Sequence, residues 1–323
     1  MKAETVRKEM NRCGKAGIPF LCAIDFEMEN GFFVEDPLHA KTIYFRIGPV
    51  GNAPSEIPPA TAPRLTVHPN DFEAYRNKFG QVHQGLMRGD SFLLNLTEKT
   101  AIESNLSLEQ IFLLSQAHYK LLYPEHFVCF SPETFVRIRH NEISSFPMKG
   151  TIDATLPEAE RQLLSNYKEE CEHHTIVDLI RNDLNMVATR VRVKRFRYME
   201  KIPTLHGEIL QTSSEISGLL PDGWAADLGN LLFKLLPAGS ISGAPKPATV
   251  HLIQQAEKIP RGYYTGIFGY YDGQEFDSAV MIRYIEKESD RYYFRSGGGI
   301  TVHSSVEDEY REILEKIYLP IHN

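Results

Sequence analysis

The stretch Phe127-Val-Cys-Phe-Ser-Pro-Glu-Thr-Phe-Val-Arg-Ile-Arg139 holds two runs rich in β-branched and aromatic residues, Phe127–Phe130 and Thr134–Arg139. A short break, Ser131-Pro-Glu133, separates them, so they read as consecutive strands. Working outward, apolar alternation predicts strands through Ala23–Met28, Phe32–Val34 and Ile43–Ile47, with Asn30-Gly31 as a tight turn. More strands are expected at Ser91–Leu96, Val191–Met199, Glu208–Gly218, Tyr263–Tyr271, Ser278–Ile285 and Tyr292–Arg295. Helices are expected over Leu108–Leu122, from Thr155 towards Asp183, over Trp224–Leu235 and Lys246–Lys258, and from Ser304 to near Tyr318. Thr155 with Glu158, and Ser304 with Glu307, fit capping boxes. The strands come in blocks without strict strand–helix alternation. That argues an α+β class with mixed or antiparallel sheets and helices outside.

The 323 residues are 42% hydrophobic and 24% charged, ordinary fractions for a folded protein, which removes disordered, collagenous and coiled-coil classes. A net charge of −7 leaves no basic surplus, so neither nucleic acid nor a membrane surface is an expected partner. The short apolar run Ile18–Ile24 meets Asp25 and Glu27 at once, too short to span and followed by no signal cleavage pattern, and the expected location is cytoplasmic. Cys13, Cys22, Cys129 and Cys171 form no CxxC and no framework, so four reduced thiols are expected. Residues 48–69 carry six of the nineteen prolines and read as an irregular surface loop. It belongs to a short N-terminal β region of 1–84 inside one domain spanning 1–323.

Several groups could carry chemistry. Glu169, Glu172, His173 and Ile176 share one helix face at i, i+3, i+4 and i+7, and Glu309, Glu312 and Lys316 share another. Such faces are commonly solvated surfaces with ordinary ion pairs. The alternative is a Mg²⁺ site made of one carboxylate from each helix, water and a substrate oxygen. Cys171-Glu172-His173-His174 is a weak zinc signal, because adjacent helical residues point apart. Gly297-Gly298-Gly299 reads either as a plain turn or as backbone amides open to an anion. Gly239–Lys246 faintly resembles a phosphate loop but lacks the Gly-Lys-Ser/Thr ending, and Pro245 removes a needed amide. Lys149, in Pro147-Met-Lys-Gly-Thr151, is either a surface lysine or a nucleophile kept neutral by burial or nearby cations.

Taken in order, Ser131-Pro-Glu133, Pro147–Thr151, Glu169–Asp183, Pro237–Lys246, Gly262–Tyr270, Ile282-Arg283, Gly297–Gly299 and Glu309–Lys316 resemble the chorismate-utilising enzymes. These comprise component I of anthranilate and of aminodeoxychorismate synthase, and the isochorismate and salicylate synthases. The resemblance covers about residues 85–318 and implies two packed sheets with the substrate between them. In the family a lysine before Gly-Thr marks the aminodeoxychorismate synthases and an alanine marks the anthranilate synthases, so Lys149 implies the former. The implied reaction converts chorismate and ammonia to 4-amino-4-deoxychorismate through a covalent Lys149 adduct, on the way to 4-aminobenzoate and folate. Anthranilate synthesis is the alternative, and an inactive chorismate-binding regulatory subunit is the alternative outside enzymes.

The resemblance also implies roles. Glu133, sixteen residues before Lys149, would be the general acid and later the base. Glu172 and Glu312 would bind Mg²⁺, with Glu169 and Glu309 ligating through water or supporting them. Arg283 and Lys316 would grip the pyruvyl carboxylate, and Gly150, Thr151, Tyr264 and the amides of Gly297, Gly298 and Gly299 would complete the pocket. Gln211 stands where anthranilate synthases have a histidine, and Leu93 where the water-adding synthases have a base lysine. No cysteine has a glutaminase pattern, so a separate glutamine amidotransferase is the implied partner and ammonia source.

Overall fold

The computed structural model describes residues 1–54, 62–204 and 207–321. In chain order the helices are α1 (Ala3–Ala16), α2 (Phe72–Arg88), α3 (Leu108–Leu114), α4 (Ala159–Ser165), α5 (Tyr167–Asn185), α6 (Leu228–Leu235), α7 (Gly239–Ser242), α8 (Lys246–Glu257) and α9 (Val306–Glu315). The strands are β1 (Phe20–Ile24), β2 (Gly31–Glu35), β3 (Tyr44–Ile47), β4 (Val50–Gly51), β5 (Leu65–His68), β6 (Leu93–Ser104), β7 (Tyr119–Tyr123), β8 (Phe127–Ser131) and β9 (Thr134–Arg139). They continue as β10 (Glu142–Ser145), β11 (Met148–Asp153), β12 (Thr189–Thr204), β13 (Gly207–Leu219), β14 (Gly243–Ala244), β15 (Ile267–Tyr271), β16 (Phe276–Val280), β17 (Tyr284–Glu288) and β18 (Arg291–Ile300). One sheet runs β11-β13-β10-β9-β16-β15-β1-β2 with β12 on β13. The other runs β14-β6-β18-β17-β8-β7-β3-β4 with β5 on β6. The pairings are antiparallel, giving the expected α+β architecture.

Period-two alternation sends each strand's side chains into two different cores. On β1, Leu21 and Ala23 enter the core between the sheets, with Phe45, Tyr119, Leu121, Phe127, Phe268 and Tyr284. Phe20, Cys22 and Ile24 face the other way, against α1, α5 and α6. On β8, Phe127 and Cys129 point between the sheets while Val128 and Phe130 meet α3. Strands buried on both faces explain why they read as continuous apolar runs. Cys13, Cys22, Cys129 and Cys171 are free thiols. Among the described residues, no helix is long and apolar enough to cross a membrane.

The structure corrects several boundaries. The N-terminal region is not all β: α1 buries Ala3, Val6, Met10 and Cys13, and α2 buries Tyr75, Phe79, Val82 and Leu86. Within the Pro-rich segment 48–69, β5 pairs with β6, while residues 55–61 lie outside the described residues. The helix expected to reach Leu122 ends at Leu114. There the buried Lys120 ammonium bonds the carbonyls of Phe112 and Ser115, at 2.7 and 2.9 Å, and residues 119–123 turn into β7. Thr155 donates to Asp153 instead of capping a helix, and α5 starts separately behind Asn166, whose side chain accepts from the Glu169 N–H. In α9 the cap is Ser305, not Ser304, whose hydroxyl donates to Glu309 at 2.8 Å.

Candidate active site

Lys149 lies on β11 at a β-bulge. It pairs with Thr212, Thr151 pairs with Gln211, and Gly150 sits unpaired between them at φ +74°. Only glycine takes that conformation without strain, so Gly150 serves backbone geometry. The Thr212 hydroxyl donates to the Lys149 carbonyl and pins the bulge from the neighbouring strand. The Lys149 side chain is 24% exposed and its Nζ stands 3.4 Å from Glu172 Oε2 on α5. A Cβ on Gly299 would sit 3.3 Å from that Nζ and 3.4 Å from Leu93 Cδ1. The lysine therefore bridges the two sheets, over a strand bare of side chains.

The glycine triplet is no turn: β18 runs on to Ile300, and Gly297, Gly298 and Gly299 pair with Thr97, Leu96 and Asn95. On its other edge the pairing with β17 ends at Arg295, opposite Tyr284, so that strand leaves residues 296–300 uncovered. Lys316 Nζ donates to the Gly297 carbonyl there at 2.8 Å. In an antiparallel strand a residue's N–H and C=O share a side, so the amides of Gly297 and Gly299 face the open edge while that of Gly298 is spent in the ladder. Gly298 contributes space instead. A Cβ there would meet Glu309 Oε2 at 2.9 Å and Glu312 Oε1 at 3.9 Å.

Charges converge on this edge. Lys316 holds Glu312 at 2.6 Å; burial pushes its pKa down, Glu312 opposes, and Arg283 and Lys149 add to the depression. Glu133, between β8 and β9, accepts a hydrogen bond from Ser240 of α7. Burial raises its pKa, against the Ser240 bond and the positive charges of Lys149 and Arg283. Arg283 connects β16 to β17 and lies 5.4 Å over the Tyr318 ring. Tyr264 is 3% exposed, packed on Tyr284, and burial raises its phenol pKa. Thr151 is exposed. Glu169 Oε2 would lie 3.3 Å from a Cβ on Gly150, so it borders the bulge. His173 is fully buried with Nε2 2.6 Å from Ser214 Oγ, and burial pushes its pKa down to about 4. It is a neutral tie from α5 to β13.

Three polar residues were missed by sequence reasoning. Ser240 lies in the Gly239–Lys246 loop, set aside as a failed phosphate loop. That loop is locked by Lys246 on Asp183 at 2.7 Å, and a Cβ on Gly239 would strike Asp183 Oδ2 at 2.8 Å. Thr212 and Asn95 looked like ordinary strand residues.

Among the described residues, no group of three or more His, Cys, Asp or Glu is close enough to hold a metal ion by itself. Mg²⁺ needs less, usually one or two carboxylates with waters and substrate oxygens. Glu309 and Glu312 both border Gly298, Glu172 faces Lys149 over Gly299, and all are hard oxygen donors, the donor chemistry that ion takes.

The chorismate binding enzyme family model matches residues 35–321. An uncharacterised PabA-like protein of Haemophilus influenzae is 54% identical over 97% of this chain and 96% of its own length. Aminodeoxychorismate synthase component 1 of Salmonella typhimurium is 31% identical over 77% of this chain, which spans 57% of that relative. The menaquinone-specific isochorismate synthase of Escherichia coli superposes with a TM-score of 0.74 over 98% of this chain and 81% of its own, at 15% identity, a likeness of fold alone.

Proposed function

Since the chain belongs to the chorismate binding enzyme family, we propose that it converts chorismate and ammonia to 4-amino-4-deoxychorismate, as an aminodeoxychorismate synthase component I. The observation that carries this reading is the Lys149 amine, held on a pinned bulge and aimed across Gly299 beside Glu172. An alanine there would leave the space to ammonia and favour anthranilate.

Arg283, Lys316 and the outward amides of Gly297 and Gly299 bind the pyruvyl carboxylate. Glu172 and Glu312 would hold Mg²⁺, with Glu169 and Glu309 supporting them. Bound there, the ion would neutralise the ring carboxylate and ease departure of the C4 hydroxyl. In the first half-reaction the neutral Lys149 amine bonds to C2, both ring double bonds shift by one bond towards C4, and the C4–O bond breaks. Protonated Glu133 gives that oxygen its proton, and water leaves. In the second half an ammonium ion gives its proton back to the Glu133 carboxylate. The ammonia bonds to C4, both ring double bonds shift back, and the C2–Nζ electron pair returns to Lys149. Leu93, apolar and beside the lysine, offers no base to activate water.

Ammonia comes from a separate glutamine amidotransferase. The test is product analysis from chorismate, Mg²⁺ and ammonium chloride with the chain alone. A non-aromatic amino product that a lyase turns into 4-aminobenzoate is expected, and anthranilate would replace this reading with the other.

A further inference from the structure

Asn95 lies on β6 next to the glycine strand and has no part in the chemistry above. Its neighbours Leu94 and Leu96 pack towards α2 and α8. Alternation therefore turns Asn95, like Leu93, to the face on which Lys149 meets Gly299. Asn95 pairs directly with Gly299, and its Oδ1 lies 2.8 Å from where a Cβ of Gly297 would be. The backbone there is fixed, because Arg261, 1% exposed, donates to the Asn95 carbonyl at 2.6 Å. Yet the side-chain oxygen is buried with no hydrogen-bond partner. Buried acceptors rarely stay unsatisfied, so this one calls for a donor that the chain itself does not supply. On the same face, the Lys149 amine lies over the neighbouring Gly299, 3.3 Å from where its Cβ would be.

We propose that the Asn95 carboxamide oxygen is the binding point for the incoming ammonia. This rests on the reading of the site as an aminating one. Ammonia has three N–H donors and one lone pair, so one N–H given to Asn95 Oδ1 leaves the lone pair free to attack C4. The proton balance is unchanged: ammonium hands its extra proton to the Glu133 carboxylate, and the bond to C4 forms as the C2–Nζ bond breaks. Asn95 also favours ammonia over water, which would share the acceptor but finds no base at Leu93.

The test is steady-state kinetics of the full chain with ammonium chloride varied at saturating chorismate. Asn95→Leu removes the acceptor at similar volume. Its KM for ammonium should rise about tenfold, the worth of one hydrogen bond, well beyond any change in its KM for chorismate. At low ammonium it should also accumulate more Lys149 adduct than the native chain, seen by intact mass. Asn95→Asp keeps the shape and an acceptor and should hold the ammonium KM near the native value. An unchanged ammonium KM in Asn95→Leu, or one that moves in step with the chorismate KM, would overturn the inference. So would Asn95→Asp behaving as Asn95→Leu. A native chain that makes no 4-amino product would overturn the reaction and this inference with it.

Discussion

Removing the Glu257 carboxylate tests whether the glycine-strand wall of the site is held from behind. Arg261 is 1% exposed and gives Nε and one terminal nitrogen to the two Glu257 oxygens, at 2.9 and 2.7 Å. The same guanidinium bonds the carbonyls of Asn95 and Ile241 and lies 4.5 Å over the Phe26 ring. Glu257 in turn accepts from the Thr97 amide and hydroxyl. One buried pair thus joins α8, β6 and α7. Glu257→Ala leaves the guanidinium buried without its counter-charge, a loss of about 3–5 kcal/mol. At about 2.1 cal/mol/K per residue, unfolding this chain carries an entropy near 0.7 kcal/mol/K, so Tm should fall by about 4–7 °C. Calorimetry or circular dichroism at neutral pH measures it. Thr97→Val, which removes one donor, should fall by only about 1–2 °C. A Glu257→Ala chain melting within about 2 °C of native would refute the reasoning, because a buried charge cannot lose its partner that cheaply.

Three further outcomes are expected. Gly150→Ala puts a Cβ at φ +74°, 3.0 Å from Leu163 Cδ1, at a conformational cost of about 1–2 kcal/mol. The displaced Lys149 should lower kcat by about 10²-fold, with circular dichroism reporting a largely intact fold; unchanged kcat would show that the bulge does not aim the lysine. Burial raises the Glu133 pKa, so the folded chain binds this proton more tightly than the unfolded chain. Stability associated with that proton is full below the ordinary carboxyl value and lost as pH rises through the raised one. Glu133→Gln should therefore raise Tm near neutral pH more than near pH 4 while losing activity; equal shifts at both would contradict it. Chelating Mg²⁺ should abolish turnover restorable by added Mg²⁺, and Glu172→Gln should need several-fold more of the ion; activity indifferent to chelation would remove the metal from the account.

The candidate site residues could be named in sequence through the resemblance of their motifs, and the structure brings several of them to the glycine strand. Glu309 is 3% exposed, and paired glycines stand where the carboxylate and Lys149 must approach β18. What sequence hid was context. Gly297–Gly299 looked like a turn because glycine is a poor strand former, yet β6 supplies a ladder that overrides the propensity. The end of α3 could not be placed because Lys120, which terminates it, belongs to the following strand. The stripe of Tyr75, Phe79, Val82 and Leu86 was a readable helical signal overlooked beside the proline-rich segment. Ser240, Thr212 and Asn95 are small polar residues whose importance comes only from the groups that the fold brings to them.

The central claim is that the Lys149 amine is a nucleophile, and intact-protein mass spectrometry tests it most directly. The chain, Mg²⁺ and chorismate, mixed without any ammonia source and quenched, should gain the mass of chorismate less one water. Peptide mapping should place that gain on Lys149, added ammonium should discharge it, and Lys149→Ala should not acquire it. A native chain that forms 4-amino-4-deoxychorismate but never carries the adduct, or carries it elsewhere, would contradict the account.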